Sequence, residues 1–538
     1  MDTRRSASLS FAVVLGTFLL TASCFAQALP PRRPSALSGN PTFPWALGVR
    51  IPLTPASPPA EMKKTLALSP WTRTTNAPPV NLGTALLLTD GTVIAHEEND
   101  LVGNYATINW YKLTPDIKGS YINGTWSEIA PLPVGYGPLA FGSAVLPDGR
   151  VVVEGGEFNQ YGNDYTNLGA IYDPMANTWT SVKPPSGWSS IGDASTVVLN
   201  NGALMLANAE TRQAAILNSL TLTWTATGSD KFDLNLEEGW TLLPNGKVLT
   251  VDCYLGNGQS DGRNYEIYDP SSGSWSVAGT TPVQLWDSGA ACGLHGYEIG
   301  PALLLANGTV FATGANSCGP GHTAIYDVAS GTWTAGPDFP DNLDIADGPA
   351  ALEPNGKMLM MTSPFIFETG SIFFEWDGST LTQVAGPPNA PNVSSYQGHL
   401  LVLPTGQIMY TDYTNDVEIF TPTPGNYNWV PSAYFQSLAL SRGNTYVMIG
   451  FKLNGLSQAT AYGDDLQNAT NYPIVRLTNI ATGHVFYCRT HGHSTMAVGY
   501  TGPVKTQVDI PANIEIGPSY FQVVANGIPS RPYIIYVE

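Results

Sequence analysis

LLLTDGTVIA (86–95), AVLPDGRVVV (144–153) and LVLPTGQIMY (401–410) are three of seven copies of one pattern. Each is an apolar run, a turn signal ending in glycine, and a second apolar run. The other four are VVLNNGALML (197–206), TLLPNGKVLT (241–250), LLLANGTVFA (303–312) and AALEPNGKMLMM (350–361). The turn glycines are Gly91, Gly149, Gly202, Gly246, Gly308, Gly356 and Gly406, spaced by 58, 53, 44, 62, 48 and 50 residues. Self-similarity near one period, here about 52 residues, marks an architecture whose units bury their faces only against neighbours.

Each copy is a hairpin signal. Asp-Gly and Asn-Gly accept the positive φ of a tight two-residue turn, and β-branched runs flank them. A third strand with an aromatic residue follows most copies: Tyr172 in AIYDP, Tyr268 in EIYDP, Tyr326 in AIYDV and Phe420 in EIFTP. A fourth begins with Trp126, Trp179, Trp224, Trp275 or Trp333. The Tyr-to-Trp offset is seven at 172–179, 268–275 and 326–333, and Leu217–Trp224 keeps it. Four strands per unit, repeated radially, is the propeller solution to exposed sheet edges. The sixth copy has Leu381 in place of the tryptophan, and the seventh lacks a fourth strand. SPWTRT precedes the first copy, so Trp71 is expected to supply the outer strand of the last blade and close the ring.

Residues 1–28 read as a secretory leader. Arg4 and Arg5 start it, FAVVLGTFLLTA is too short to span a membrane, and Ala26-Gln27-Ala28 is a cleavage site. Cys24 offers a lipoprotein site as the alternative, with Thr21 where an aliphatic residue is preferred. No other stretch approaches the roughly 18 apolar residues of a membrane helix. The expected product is secreted and extracellular, with periplasm or cell surface as related destinations, and without membrane insertion. Formal net charge is −19, and the leader removes two arginines and one aspartate from that balance. Such acidity argues against nucleic acid and anionic membranes and suits cations or basic partners. Of Cys253, Cys292, Cys318 and Cys488, the pair Cys292–Cys318 flanks the fifth copy on one face and is the favoured disulfide. Cys253–Cys292 is the alternative.

Residues 29–63 are Pro-rich and are expected to form a linker or extended arm. The repeats occupy 64–429. In 430–538 the runs TYVMIGFKL, YPIVRLTN, GHVFYCRT, TQVDIPA, SYFQVVANG and RPYIIYVE suit an immunoglobulin-like sandwich. The expected fold is all-β: a seven-bladed kelch-type β-propeller followed by an immunoglobulin-like β-sandwich. This combination resembles the galactose oxidase and glyoxal oxidase group over roughly 65–538. YPIVRLTNIATGHVFYCRTHGHSTMAVG (472–499) and IPANIEIGPSYFQVVANGIPS (510–530) look like that group's C-terminal domain, in which a His-containing turn reaches into the propeller axis.

The resemblance implies a copper-radical oxidase whose metal takes two Tyr and two His, one Tyr being linked to a Cys. Carried over residue by residue, His493 falls on the C-terminal His and Tyr396 on the axial Tyr. Gln397 stands where the group has a His, and His399 would need a shifted strand to replace it. The linking Cys belongs about seven residues before a turn in an early repeat. The residues there are Leu82, Ala140, Asp193, Glu237, Ile299, Asp347 and Gln397, none of them Cys. Without that pair, a two-electron alcohol oxidation has no second redox site.

In a propeller the loops entering first strands and leaving second strands share one face, where ligands bind. Here they contribute Asp193, Glu237, Glu238, His295, Tyr297, Asp347, Tyr396, Gln397 and His399. His96, Glu97, Glu98, Glu157, Glu210, Asp252 and Asp412 join them, with His491 and His493 from the C-terminal turn. Acidic groups dominate. Carboxylates suit a hard cation such as Ca2+ and histidines a transition metal such as Cu2+; no compact ligand spacing decides between them. The bland alternative is solvated carboxylates and histidines bonded to backbone. Glu237 and Glu238 cannot form one acid/base pair, because neighbours on a strand point to opposite faces. No catalytic set is assigned. The expected ligand or metal face comprises Asp193, Glu237, Asp347, Tyr396, Gln397, His399 and His493. The expected function is binding of an extracellular carbohydrate, protein or cation. A divergent copper oxidoreductase, a hydrolase or lyase using the mouth carboxylates, and a surface-layer role are the alternatives.

Overall fold

The computed structural model describes residues 69–99, 106–160, 165–253, 263–287, 297–425, 427–464 and 471–538. The expected leader and Pro-rich arm, Cys292 and His295 lie outside them. Among the described residues the only helical pieces are single 3-10 turns, and no helix is long and apolar enough to cross a membrane.

Seven antiparallel sheets built on four strands each succeed one another along the chain. Their innermost strands are Leu82–Leu87, Gly142–Val145, Thr196–Val198, Thr241–Leu242, Ile299–Leu304, Ala350–Leu352 and His399–Val402. These touch in that order, and the last touches the first. The ring therefore closes around an axis, and Val, Leu, Ile and Met side chains fill the space between sheets. Trp71–Arg73 pairs antiparallel with Glu418–Phe420 and completes sheet seven.

The hairpin turns differ from the two-residue type expected. Each closes through two backbone bonds, such as Gly91 N–H to Leu88 O at 3.0 Å and Leu88 N–H to Thr92 O at 2.8 Å. That is a type I turn followed by a left-handed residue. Only the glycine takes positive φ, from 78° at Gly91 to 95° at Gly356. The Asp or Asn before it accepts from the amide two residues on instead, as in Thr92 N–H to Asp90 Oδ1 at 3.0 Å and Lys247 N–H to Asn245 Oδ1 at 3.0 Å. The dipeptide recurs for two reasons: glycine for the backbone and a short acceptor for the amide.

The offset of seven puts tyrosine and tryptophan directly across from one another, as in Tyr172↔Trp179, Tyr268↔Trp275 and Tyr326↔Trp333. Their rings lie 5.0–5.3 Å apart. Several indoles also reach the preceding sheet. Trp179 donates to Ala130 O at 2.9 Å, Trp224 to Lys183 O at 2.7 Å, and Trp71 to Ala385 O at 2.6 Å. One residue type thus serves packing within a sheet and registration between sheets.

The described strands within 432–451 and 474–537 form two facing sheets around a shared core that includes Phe435, Met448, Val475, Val504, Phe521 and Ile535. This sandwich sits on the hairpin-turn end of the ring: Thr490 N–H bonds to Thr89 O, Gly492 N–H to Pro147 O and Met496 N–H to Asn200 O. From it, residues 453–464 run into the axis. Thr460–Ala461 pairs with Ala350–Leu352, the innermost strand of sheet six.

Candidate functional site

The innermost strands begin at the end of the ring opposite the sandwich, and the residues just before them converge there. Glu237 (φ 58°) and Asp347 (φ 48°) both occupy the left-handed region, which non-glycine residues adopt only under outside constraint. They hold equivalent positions in repeats four and six, and the unusual backbone turns both side chains to the axis. Asp193 is their counterpart in repeat three. Sheet five departs from the pattern by a register break between Ile299 and Ala302. Glu298, not Ile299, therefore takes the equivalent place.

These side chains meet. Asp193, Glu237 and Asp464 bring one oxygen each within 4.8 Å of one another, as do Glu237, Glu298 and Asp347. Five carboxyl groups share Glu237 as their hinge, and all are buried. Asp464 comes from the axial segment, anchored where its carbonyl accepts from Ser195 Oγ at 2.7 Å. Gly463 fits against Asp347 and Ile299, and Gly239 against the carbonyl of Gly463. Close backbone approach at these points leaves no room for a side chain.

His399 starts the innermost strand of sheet seven and pairs with Thr411. It is buried. Its ring stacks on Tyr462 at 5.5 Å and 13°, with Tyr413 at 5.6 Å. Burial holds the imidazole down at about 4, against the pull of Glu98, so it is neutral at physiological pH. Tyr462 donates to the Tyr396 carbonyl at 2.5 Å. Tyr396 and Gln397 lie half-buried in a 3-10 turn, Tyr396 edge-on to Phe367 and Gln397 Oε1 accepting from Ser394 N–H at 2.8 Å.

Other acidic residues of this end have structural partners. His96 bonds Glu98 at 2.9 Å and the Thr107 carbonyl at 2.7 Å, and it stacks on Trp110. Asp412 accepts from Thr414 and Asn389. Glu238 points away from Glu237, as expected of neighbours. It meets Lys231 Nζ at 2.6 Å, beside Asp233 (2.7 Å), Glu266 (3.1 Å) and Asp252 (3.4 Å). Burial, with Asp233 nearby, pushes the Glu238 carboxyl well up. Burial also lifts Asp252 to about 7 despite Lys231.

His493 does not join this site. Its loop bonds to Pro147 and Asn200 on the hairpin turns, and its ring contacts Thr506 Oγ1 at 2.8 Å and stacks on Tyr472. Asn200 and Asp193 lie beyond opposite ends of the strand Thr196–Val198, on the order of 20 Å apart at about 3.3 Å per residue. His491 likewise bonds Asp509, at 3.1 Å. The axis is reached by 453–464 instead, so Tyr462 and Asp464 arrive where the resemblance places a histidine. Of the cysteines, Cys253 and Cys488 are free and buried, which removes the Cys253–Cys292 alternative. Cys318 is disulfide-bonded, and its favoured partner Cys292 lies outside the described residues.

No protein-family profile matches the chain. The kelch-like protein terF of Aspergillus terreus is 26% identical over 257 residues, 44% of this chain and 51% of that protein. The match thus spans about half the length of that relative. Among solved structures, a fungal alcohol oxidase of the AA5 family, in complex with copper, aligns with a TM-score of 0.50 at 13% identity, over 87% of this chain and 98% of that one. YjhT aligns at 14% identity and a TM-score of 0.40, over 57% of this chain and 99% of its own. The kelch-like relative and the fungal oxidase agree on a kelch propeller with a galactose oxidase-like resemblance.

Proposed function

We propose that the chain is an exported seven-bladed kelch propeller with an immunoglobulin-like C-terminal domain, whose axial mouth binds a divalent cation and, through it, an extracellular carbohydrate or protein. The observation that carries this reading is the convergence of two buried carboxylate triads that share Glu237: Asp193, Glu237 and Asp464, and Glu237, Glu298 and Asp347. Ionised together, these groups repel one another; a cation removes that repulsion and is met by oxygen donors. His399, neutral, stacks on Tyr462, which is two residues along the axial segment from Asp464. Coordination positions left over by the protein would accept hydroxyl or carboxylate oxygens of the ligand.

The fungal oxidase carries copper, and the donors here fit a copper-radical centre poorly. Oxygen donors of carboxylates outnumber nitrogen at this mouth, the pattern of a hard cation. The thiol at this end, Cys253, is bonded to the Val251 carbonyl at 3.5 Å. Burial and the Glu238, Asp233 and Glu237 carboxylates push it well up, which disfavours a thiolate. Cys488 lies in the sandwich core.

Titration of the mature protein with Ca2+, Mn2+ and Cu2+ by calorimetry tests the reading. One Ca2+ or Mn2+ per chain is expected, with affinity lowered at least about tenfold by Glu237→Gln. Glycan and protein ligand screens with and without chelator then test the bridge. Stoichiometric copper with peroxide release from alcohols would overturn the reading in favour of an oxidase.

A further inference from the structure

We infer that Lys231, which does not reach the mouth, is its positioning residue: its ammonium grips Glu238 and thereby fixes the dipeptide Glu237-Glu238, so that Glu237 stays aimed at the axis. This rests on the cation-binding reading above. Two carboxylate cages stand back to back and share the dipeptide Glu237-Glu238. One faces the axis. The other, Asp233, Glu238 and Asp252, also brings oxygens within 4.8 Å of one another, but the chain fills it with its own cation. Lys231 Nζ lies 2.6–3.4 Å from oxygens of these three residues and of Glu266. The ammonium also sits 5.6 Å from the ring of Trp275.

Those partners belong to separate segments. Asp233 and Glu238 lie on the loop that leads from sheet three into the innermost strand of sheet four, Asp252 follows its second strand, and Glu266 lies on its third. One ammonium therefore crosslinks three pieces of chain at the point where Glu237 needs its unusual backbone. On the inner side, the Ser195 hydroxyl lies between the carbonyls of Glu238 and Asp464. Gly239 is pressed against the carbonyl of Gly463. Glu238 is thus clamped from both sides, by Lys231 outside and by the axial segment inside. Glu237 has little freedom left to swing away from its partners. An ammonium suits this task because it donates to several carboxylates at once and is held in place by all of them.

Electrostatics alone makes the opposite prediction. Deleting a positive charge near an acidic mouth strengthens cation attraction, whereas losing the clamp weakens binding. Mn2+ affinity and the EPR signal of bound Mn2+, measured on the full mature chain, separate the two. Lys231→Met and Glu238→Gln are expected to weaken Mn2+ binding about tenfold or more, with Lys231→Arg retaining affinity within about threefold. Glu238→Gln keeps an oxygen for the Thr250 hydroxyl, which now donates to Glu238 at 2.9 Å. Lys231→Gln, which removes the same positive charge but keeps a donor in the cage, decides the matter should Lys231→Met fail to fold. Affinity unchanged within about twofold, or tighter, in a folded Lys231→Met or Glu238→Gln chain overturns the inference alone. A lowered melting temperature with unchanged Mn2+ affinity does the same, because it leaves Lys231 only a structural role. Wild-type protein that takes up no Mn2+ overturns the mouth reading, and the role of Lys231 with it.

Discussion

Removing the Trp71 side chain probes ring closure, because Trp71–Arg73 is the one strand of sheet seven drawn from the far end of the repeats. The residue is 6% exposed. Its indole meets Phe420 at 5.0 Å, Phe373 at 5.2 Å and Tyr410 at 5.7 Å, mostly edge-on, and donates to Ala385 O at 2.6 Å. Truncating a buried tryptophan to alanine costs about 3–5 kcal/mol through lost transfer and the cavity left behind. The lost hydrogen bond adds about 1 kcal/mol, since Ala385 O is left without its donor. The sum, about 4–6 kcal/mol, is a large part of a typical net stability of roughly 5–15 kcal/mol. Trp71→Phe keeps most ring contacts and should cost about 1–2 kcal/mol, chiefly the bond to Ala385. Urea denaturation followed by far-ultraviolet circular dichroism measures both. Deleting residues 64–78 should abolish soluble folding. A Trp71→Ala protein within about 1 kcal/mol of wild type, or a soluble and folded deletion, would refute the closure argument.

Gly356 and Gly378 both sit at φ 95°, but a Cβ at Gly356 would overlap the Trp429 indole while one at Gly378 meets nothing within 4 Å. Gly378→Ala should therefore cost about 1 kcal/mol of backbone strain and Gly356→Ala distinctly more; equal melting temperatures would contradict the packing of Trp429. Burial raises Glu353 and Glu418 to about 8 and Asp252 and Asp344 to about 7. The native state then binds more protons than the unfolded chain at neutral pH, so stability should fall as pH rises from 6.5 to 8.5, by roughly 1 kcal/mol per unit for each acid still protonated. The window lies above the titration of His399 (about 4) and His493 (about 3), whose lowered values act in the opposite direction at acid pH. A melting temperature that climbs across that window would contradict the assignment. His493→Ala should leave cation affinity within about twofold of wild type while lowering stability by about 1 kcal/mol through loss of the Thr506 contact. Loss of cation binding instead would place His493 at the mouth.

What could be read without coordinates was what is local. A glycine that must take positive φ and an aromatic pair seven residues apart are set by residues within one repeat. Counting back from each turn then located Asp193, Glu237 and Asp347, because strand residues keep a fixed period from a fixed turn. Glu298 escaped that count because a register break, invisible in composition, shifts sheet five. Turn type was misread for a similar reason. Asp-Gly suits both the two-residue turn and the one found, and only the backbone bonds separate them.

The site itself was a matter of tertiary structure. Asp464 and Tyr462 lie more than a hundred residues beyond Asp347 and reach the axis because 453–464 threads the ring, while His493 stays beneath the hairpin turns. No periodicity says which segment of a C-terminal domain enters the axis; that depends on the fit of Gly239 against Gly463 and of Thr460–Ala461 along sheet six. The amino-acid order by itself determined the repeating sheets and which end of each strand carries acid, since both follow from nearest-neighbour backbone geometry. Packing between distant segments decided which of those acids meet, because only the closed ring brings five different segments together as two triads around Glu237.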